Sequence, residues 1–140
     1  MASVSTYLNF KGRTEKAFEH YRSVFKTEYA GPIHRVGDVV APKPGEERTE
    51  EEKRRIAHMA LPLLGGHLLM GTDVPNVVEG NNVSIYLVPD ARAEADRLFA
   101  ALSDGGKVIM PMADMFWGSY FGQLIDRFGV QWLISVDAPS

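Results

Sequence analysis

The sequence predicts an α+β protein of two tandem βαβββ modules that form a curled open barrel with helices outside. Three observations predict it. A β-favouring segment is followed by an amphipathic helix twice at matching spacing, Val4 to Phe25 and Val83 to Ser103. Strand-like segments follow each helix, and in the first half they flank Gly65-Gly66, a strong hairpin signal. A single unit of this kind leaves one sheet face open, whereas two side by side can curl around a cup. The expected organisation is one domain, 1–140, with module one at about 1–75 and module two at about 80–138.

The elements follow in order. Val4 to Phe10 carries the β-favouring bulk of a first strand. Lys11-Gly12-Arg13 is a turn, and Thr14 is placed to cap a helix to about Phe25. Ala17, Phe18, Tyr21, Val24 and Phe25 form one apolar stripe on it. Gly31-Pro32 breaks the chain before a strand at Ile33 to Val40. Residues 41–55 are a solvated excursion with one helical turn near Glu50. Ile56 to Leu64 and His67 to Thr72 read as paired strands. The second half restarts with a strand at Val83 to Val88 and a helix from Ala91 to Ser103, capped by Asp90. Ala95, Leu98, Phe99 and Leu102 are its buried stripe, and Gly105-Gly106 ends it. Lys107 to Met110, Tyr120 to Ile125 and Val130 to Val136 are strands, the last two joined by the turn Asp126-Arg127-Phe128-Gly129.

Composition narrows the function classes. A 140-residue domain buries about two thirds of its extended-chain surface and needs no staple. There are no cysteines, which excludes disulfides, thiolate zinc sites and cysteine nucleophiles. The net charge is −3 with both signs interspersed, so nucleic acid is not an expected partner. The start, Met1-Ala2-Ser3-Val4-Ser5, lacks the pattern of a signal peptide, and no stretch is apolar enough to span a bilayer. A cytoplasmic location and no membrane partner are expected.

The chain resembles a known superfamily, the glyoxalase, bleomycin-resistance and extradiol-dioxygenase proteins of the vicinal-oxygen-chelate fold. Its wording is similar to the PhnB-like branch. Tyr7-Leu8-Asn9-Phe10-Lys11-Gly12 with Ala17-Phe18-Glu19-His20-Tyr21 resembles the opening of that branch. His58-Met59-Ala60-Leu61, Gly65-Gly66-His67-Leu68-Leu69-Met70 and Asp73 resemble its central hairpin. Met110-Pro111-Met112, Trp117-Gly118, Phe121-Gly122 and Asp126 to Trp132 resemble its C-terminal half. The resemblance implies a small-molecule cup and a homodimer.

Metal-using members of the superfamily take His, Gln or Glu ligands from equivalent strands of both modules. Strand matching puts those positions at Ser5, Met70, Ser84 and Leu133, which are poor ligands for a divalent ion. The usual metal site is therefore expected to be absent, and no cofactor is implied. His20, His34 and His67 are read as exposed or satisfied by backbone, while His58 is the histidine placed to line the cup.

Alternation along strands proposes the lining. Tyr7 and Asn9 face in from the first strand, Asn82, Ser84 and Tyr86 from the strand of the second repeat, and Gln131 from the last. Met112 and Trp117, in the Met-rich segment 110–118, are expected on a loop over the mouth that grips a ring or acyl chain. The alternatives are a hydrated interior for the first group, and core or dimer-interface packing for the second. Trp132 reads as core and Asp126 as holding a turn. The candidate ligand-binding set is Tyr7, Asn9, His58, Asn82, Ser84, Tyr86, Met112, Trp117 and Gln131, with catalytic residues unassigned.

Two functions compete. The first is a small-molecule-binding protein without the usual metal. The alternative is a metal-dependent lyase, isomerase or dioxygenase, which needs imidazole or carboxylate groups converging in the cup. Only His58, His67 and Asp73 are candidates for that. A Rossmann-type methyltransferase is disfavoured because Gly65-Gly66 joins two strands rather than a strand and a helix.

Overall fold

The apolar period of residues 14–25 sets the first helix, α1, Thr14–Phe25. It buries Ala17, Phe18, Tyr21, Val24 and Phe25, the stripe the sequence predicts. Its start departs from expectation: the cap position is Arg13, which makes no side-chain cap bond. Thr14 is the first helical residue instead. Its backbone N–H and hydroxyl donate to Asp73 Oδ1, at 3.1 and 2.6 Å. A carboxylate here answers the orphan N–H groups and the positive helix end together.

The computed structural model describes residues 2–137. Met1 and 138–140, the extremities of the expected domain, lie outside the described residues. The chain divides into two compact units, Met1–Val77 and Val78–Ser140.

The first unit holds β1 (Thr6–Phe10), α1, β2 (His34–Arg35), two short helices α2 (Val36–Val39) and α3 (Glu50–Arg54), β3 (Ile56–Pro62) and β4 (Leu68–Asp73). The sheet order is β1-β4-β3-β2, with β1 parallel to β4 and the other pairs antiparallel. The expected strand at Ile33 to Val40 shrinks to two residues and turns helical at Val36. Gly37 packs against Lys53, where an added Cβ would lie 2.9 Å from that side chain. With no sheet to cover them, Val39 and Val40 stay exposed. The helical turn expected near Glu50 is α3, started by a full capping box between Thr49 and Glu52. Gly65-Gly66 does join β3 to β4, but through a single 3₁₀ turn over Leu64–Gly66 rather than a two-residue hairpin loop. Both glycines are left-handed there, at φ 66° and 79°.

The second unit repeats the plan with β5 (Ile85–Leu87), α4 (Arg92–Ser103), β6 (Lys107–Asp114), β7 (Tyr120–Ile125) and β8 (Gln131–Val136). Its order is β5-β8-β7-β6, so in both units the first strand lies parallel to the last and the second strand is at an edge. The duplication legible in the sequence is therefore a duplication of topology. Hydrogen bonding makes two four-stranded mixed sheets, and no closed barrel forms among the described residues. Asp90 does not cap α4; the cap position is Ala91, without a side-chain bond. Gly105 is left-handed, as a helix stop requires. β6 runs four residues beyond its predicted end at Met110, interrupted by two register shifts. Met112 is thus in a strand and not in a loop.

Two carboxylates, half-buried Asp73 in the first unit and buried Asp126 in the second, each fasten their own unit. Asp73 Oδ2 also accepts from Ile56 N at 2.8 Å, so one side chain ties the end of β4 to the starts of α1 and β3. Asp126 holds the β7–β8 turn, as expected. Its Oδ1 accepts from Phe128 N and Val130 N, and its Oδ2 from the indole of Trp132. Trp132 is fully buried.

Candidate functional site

In each unit one face of the sheet packs on the long helix and the other turns away from it. Gly71 marks the helix side in the first unit, because a Cβ there would meet Phe18 of α1 at 2.6 Å. Gly122 does so in the second, with Phe99 of α4 at 2.8 Å. Strand alternation then assigns every neighbour.

On the helix-free face of the first unit, β1 contributes Tyr7 and Asn9, whose paired residues on β4 are Met70 and Thr72. Met70 pairs onward with Ala60, and His58 on β3 pairs with His34 on β2. The Tyr7 phenol and His58 Nδ1 are 3.2 Å apart, and their rings lie 5.9 Å apart. His34 and His58 have ring centroids 6.3 Å apart. Three of the predicted residues, Tyr7, Asn9 and His58, share this face. His34, read from sequence as unremarkable, joins them because β2 pairs with β3 at that position. His67 and Asp73 do not: His67 Nε2 meets Thr6 Oγ1 at 2.8 Å, and Asp73 is bound into the helix start.

In the second unit Tyr86 pairs with Leu133, Leu133 with Gln123, and Gln123 with Met110, giving one row across four strands. The next row holds Ser135, Phe121 and Ala113. Gln131 shares the face and is buried, and Ser84 continues the alternation one residue before β5. Asn82 lies exposed in the approach to β5. Met112 lies on the other side, where its Sδ would sit 2.5 Å from a Cβ at Gly122. Its expected place over a ligand is corrected by the bulges of β6, which swing it toward α4. Trp117 occupies the β6–β7 turn and is 53% exposed, so it is not core. It stacks edge-on against Phe116 and Phe121, at 4.8 and 6.0 Å. Sequence reasoning missed Phe121 and Gln123, although alternation along Tyr120 to Ile125 would have found them.

Charge is placed elsewhere. Arg35 reaches Glu15 of α1 through two contacts, at 3.1 and 2.7 Å, and that hydrogen-bonded pairing holds the Glu15 carboxyl below its ordinary range. Arg92 pairs with Asp114, and Tyr120 donates to Asp96 of α4. Burial and the hydrogen bond to Glu19 push the Tyr29 phenol well up. On the helix-free faces the strand registers place Lys107 at the start of β6 and pair Arg35 with Ile56, although the Arg35 guanidinium reaches Glu15 of α1.

The positions that the sequence resemblance equates with metal ligands carry weak donors for a divalent ion. Met70 and Leu133 offer a thioether and a hydrocarbon, and Ser5 and Ser84 neutral alcohols. Among the described residues, no three His, Cys, Asp or Glu side chains gather as a ligand group.

Residues 2–135 match the family model described as 3-demethylubiquinone-9 3-methyltransferase. The chain belongs to this family. Solved structures agree. Protein PA1353 from Pseudomonas aeruginosa is 32% identical, with a TM-score of 0.84 over 99% of this chain and 100% of that one. A PhnB protein from Bacillus cereus is 25% identical, with a TM-score of 0.75 over 96% and 99%. A glyoxalase/bleomycin resistance protein/dioxygenase family enzyme from Burkholderia phytofirmans is 15% identical and shares the fold, at a TM-score of 0.60 over 94% and 96%. These comparisons support the PhnB-like chain expected from sequence, and the glyoxalase-like part of that expectation is supported as a fold.

Proposed function

We propose that this chain is a small-molecule-binding protein whose helix-free sheet faces hold an uncharged, ring-bearing polar ligand without a metal at the superfamily positions. The carrying observation is that, among the described strand residues of those faces, rings and amides outnumber charges, Lys107 and Arg35 being the exceptions and Arg35 reaching Glu15 of α1. An ionic ligand brought against such a surface would lose water without gaining a counter-charge. A neutral aromatic amide or phenol matches either face by itself with stacking and hydrogen bonds, through Tyr7, Asn9 and His58 in the first unit or through Tyr86, Gln123 and Gln131 in the second. No helix among the described residues is long and apolar enough to cross a membrane. Small-molecule binding in the cytoplasm by a homodimer is the working assignment. Methyl transfer, which the family description names, gains no support from the geometry. Gly65-Gly66 turns between antiparallel strands and presents no helix N-terminus to a nucleotide.

Trp117 gives the test. Its exposure predicts that Trp117→Ala leaves the melting temperature within about 2 °C, since little buried area is lost. Binding of a neutral aromatic amide such as benzamide should quench the wild-type indole fluorescence and be weakened severalfold in the variant. Benzoate, its charged counterpart, should bind at least tenfold more weakly. Equal binding of the two, or no binding of either, would overturn the proposal.

A further inference from the structure

We infer that His34 and His58 form a cation site for a late first-row divalent ion of the zinc, nickel and copper class. Both histidines are half-buried, so a solvent ion can reach them and water can complete its coordination. They are cross-strand partners on β2 and β3, and their rings are 6.3 Å apart with planes at 33°. Two imidazole nitrogens each about 2.1 Å from one ion place ring centroids roughly 4.5–6.5 Å apart, from bent to nearly linear coordination. The observed spacing lies inside that window, so small side-chain rotations suffice.

The contact with Tyr7 is compatible with ligation by His58. In the tautomer with its proton on Nδ1, the imidazole donates to the phenol oxygen 3.2 Å away and leaves the Nε2 lone pair for the ion. Ligating histidines are commonly held this way, the second nitrogen anchored by a neighbouring acceptor. The strand registers place imidazole, thioether and phenol groups on this face. That donor set suits the ions named and excludes magnesium and calcium, which demand oxygen ligands. The site shares no residue with the Ser5, Met70, Ser84 and Leu133 positions. It also stands independently of the organic-ligand proposal, because its probe is the metal alone.

The experiment is calorimetric titration of chelator-stripped full-length protein with Ni²⁺, Zn²⁺ or Cu²⁺ at pH 7.5. One saturable equivalent per chain is expected. His34→Ala and His58→Ala should each weaken it at least tenfold, and Tyr7→Phe severalfold through the lost anchor. His67→Ala should leave it unchanged, and Mg²⁺ should give no heat. His34 sits on a two-residue edge strand, so its variant should melt like the wild type and keep the comparison clean. No saturable binding, or binding that survives His34→Ala, would overturn the assignment.

Discussion

Replacing Asp126 by Ala should be among the costliest single changes in the second unit. Its carboxylate is 3% exposed and accepts from Phe128 N at 2.8 Å, Val130 N at 3.0 Å and Trp132 Nε1 at 2.8 Å. Alanine leaves the indole N–H, which belongs to a fully buried Trp132, facing a small void. One orphaned buried donor costs about 1–3 kcal/mol, and the two turn amides add to it. The expected total is about 3–5 kcal/mol, a fall in melting temperature on the order of 10 °C for a chain of this size. Asp126→Asn separates the contributions. Its carbonyl can still serve the turn amides, but its NH₂ opposes the indole N–H, so about 1–3 kcal/mol should be lost. In Trp132→Phe the indole donor is gone, and the further cost of Asp126→Asn should then shrink. Urea unfolding of the four variants in a double-mutant cycle reads the coupling. A loss below about 1 kcal/mol for Asp126→Ala, or no coupling with Trp132, would refute the reasoning.

Two further outcomes follow from local geometry. Gly71→Ala drives a Cβ to 2.6 Å from the fully buried Phe18 ring, so it should cost roughly 1–3 kcal/mol by overpacking, read as a lower urea midpoint. Glu15→Gln tests the pairing with Arg35, which lowers the Glu15 pKa from 4.5. A depressed carboxyl contributes stability fully above its unfolded pKa, and loses it as pH falls through the folded value. Wild type should exceed Glu15→Gln at pH 7 by under about 1 kcal/mol, since both side chains are partly exposed and screened. The difference should vanish on acidification below the folded pKa, and a difference that persists there would contradict the assignment.

The duplication was legible because each module carries an i, i+3, i+4 stripe between β-rich segments, and all five residues of the α1 stripe are buried, with Thr14 beside them. Hairpin positions were legible because Gly65-Gly66 and Gly129 need left-handed backbone. Helix caps were misread: Thr14 and Asp90 have capping chemistry, yet α1 is closed by Asp73 from the distant end of β4, a tertiary contact no local pattern encodes. The strand at Ile33 to Val40 failed for a similar reason. Its β-branched residues favour a strand, but the partner strand β3 offers pairing only at His34 and Arg35. Alternation sorted Tyr7 and Asn9 from Leu8 and Phe10 correctly in facing, because one face of β1 must pack while the other need not. The loop expected around Met112 is instead strand, because β6 runs to Asp114, and the register shifts in it turn Met112 toward Gly122. His34 escaped notice because its significance comes from a cross-strand neighbour.

The most direct test of the binding claim is residue-resolved. ¹⁵N–¹H spectra of the full chain are recorded during parallel titrations with benzamide and benzoate at pH 7.5. The account predicts saturable shifts with benzamide, confined within a unit to its helix-free face, at Tyr7 and His58 in the first or at Tyr86, Gln123 and the Trp117 turn in the second, and far smaller shifts with benzoate. Shifts centred on α1 or α4, or benzoate responding as strongly as benzamide, would contradict it.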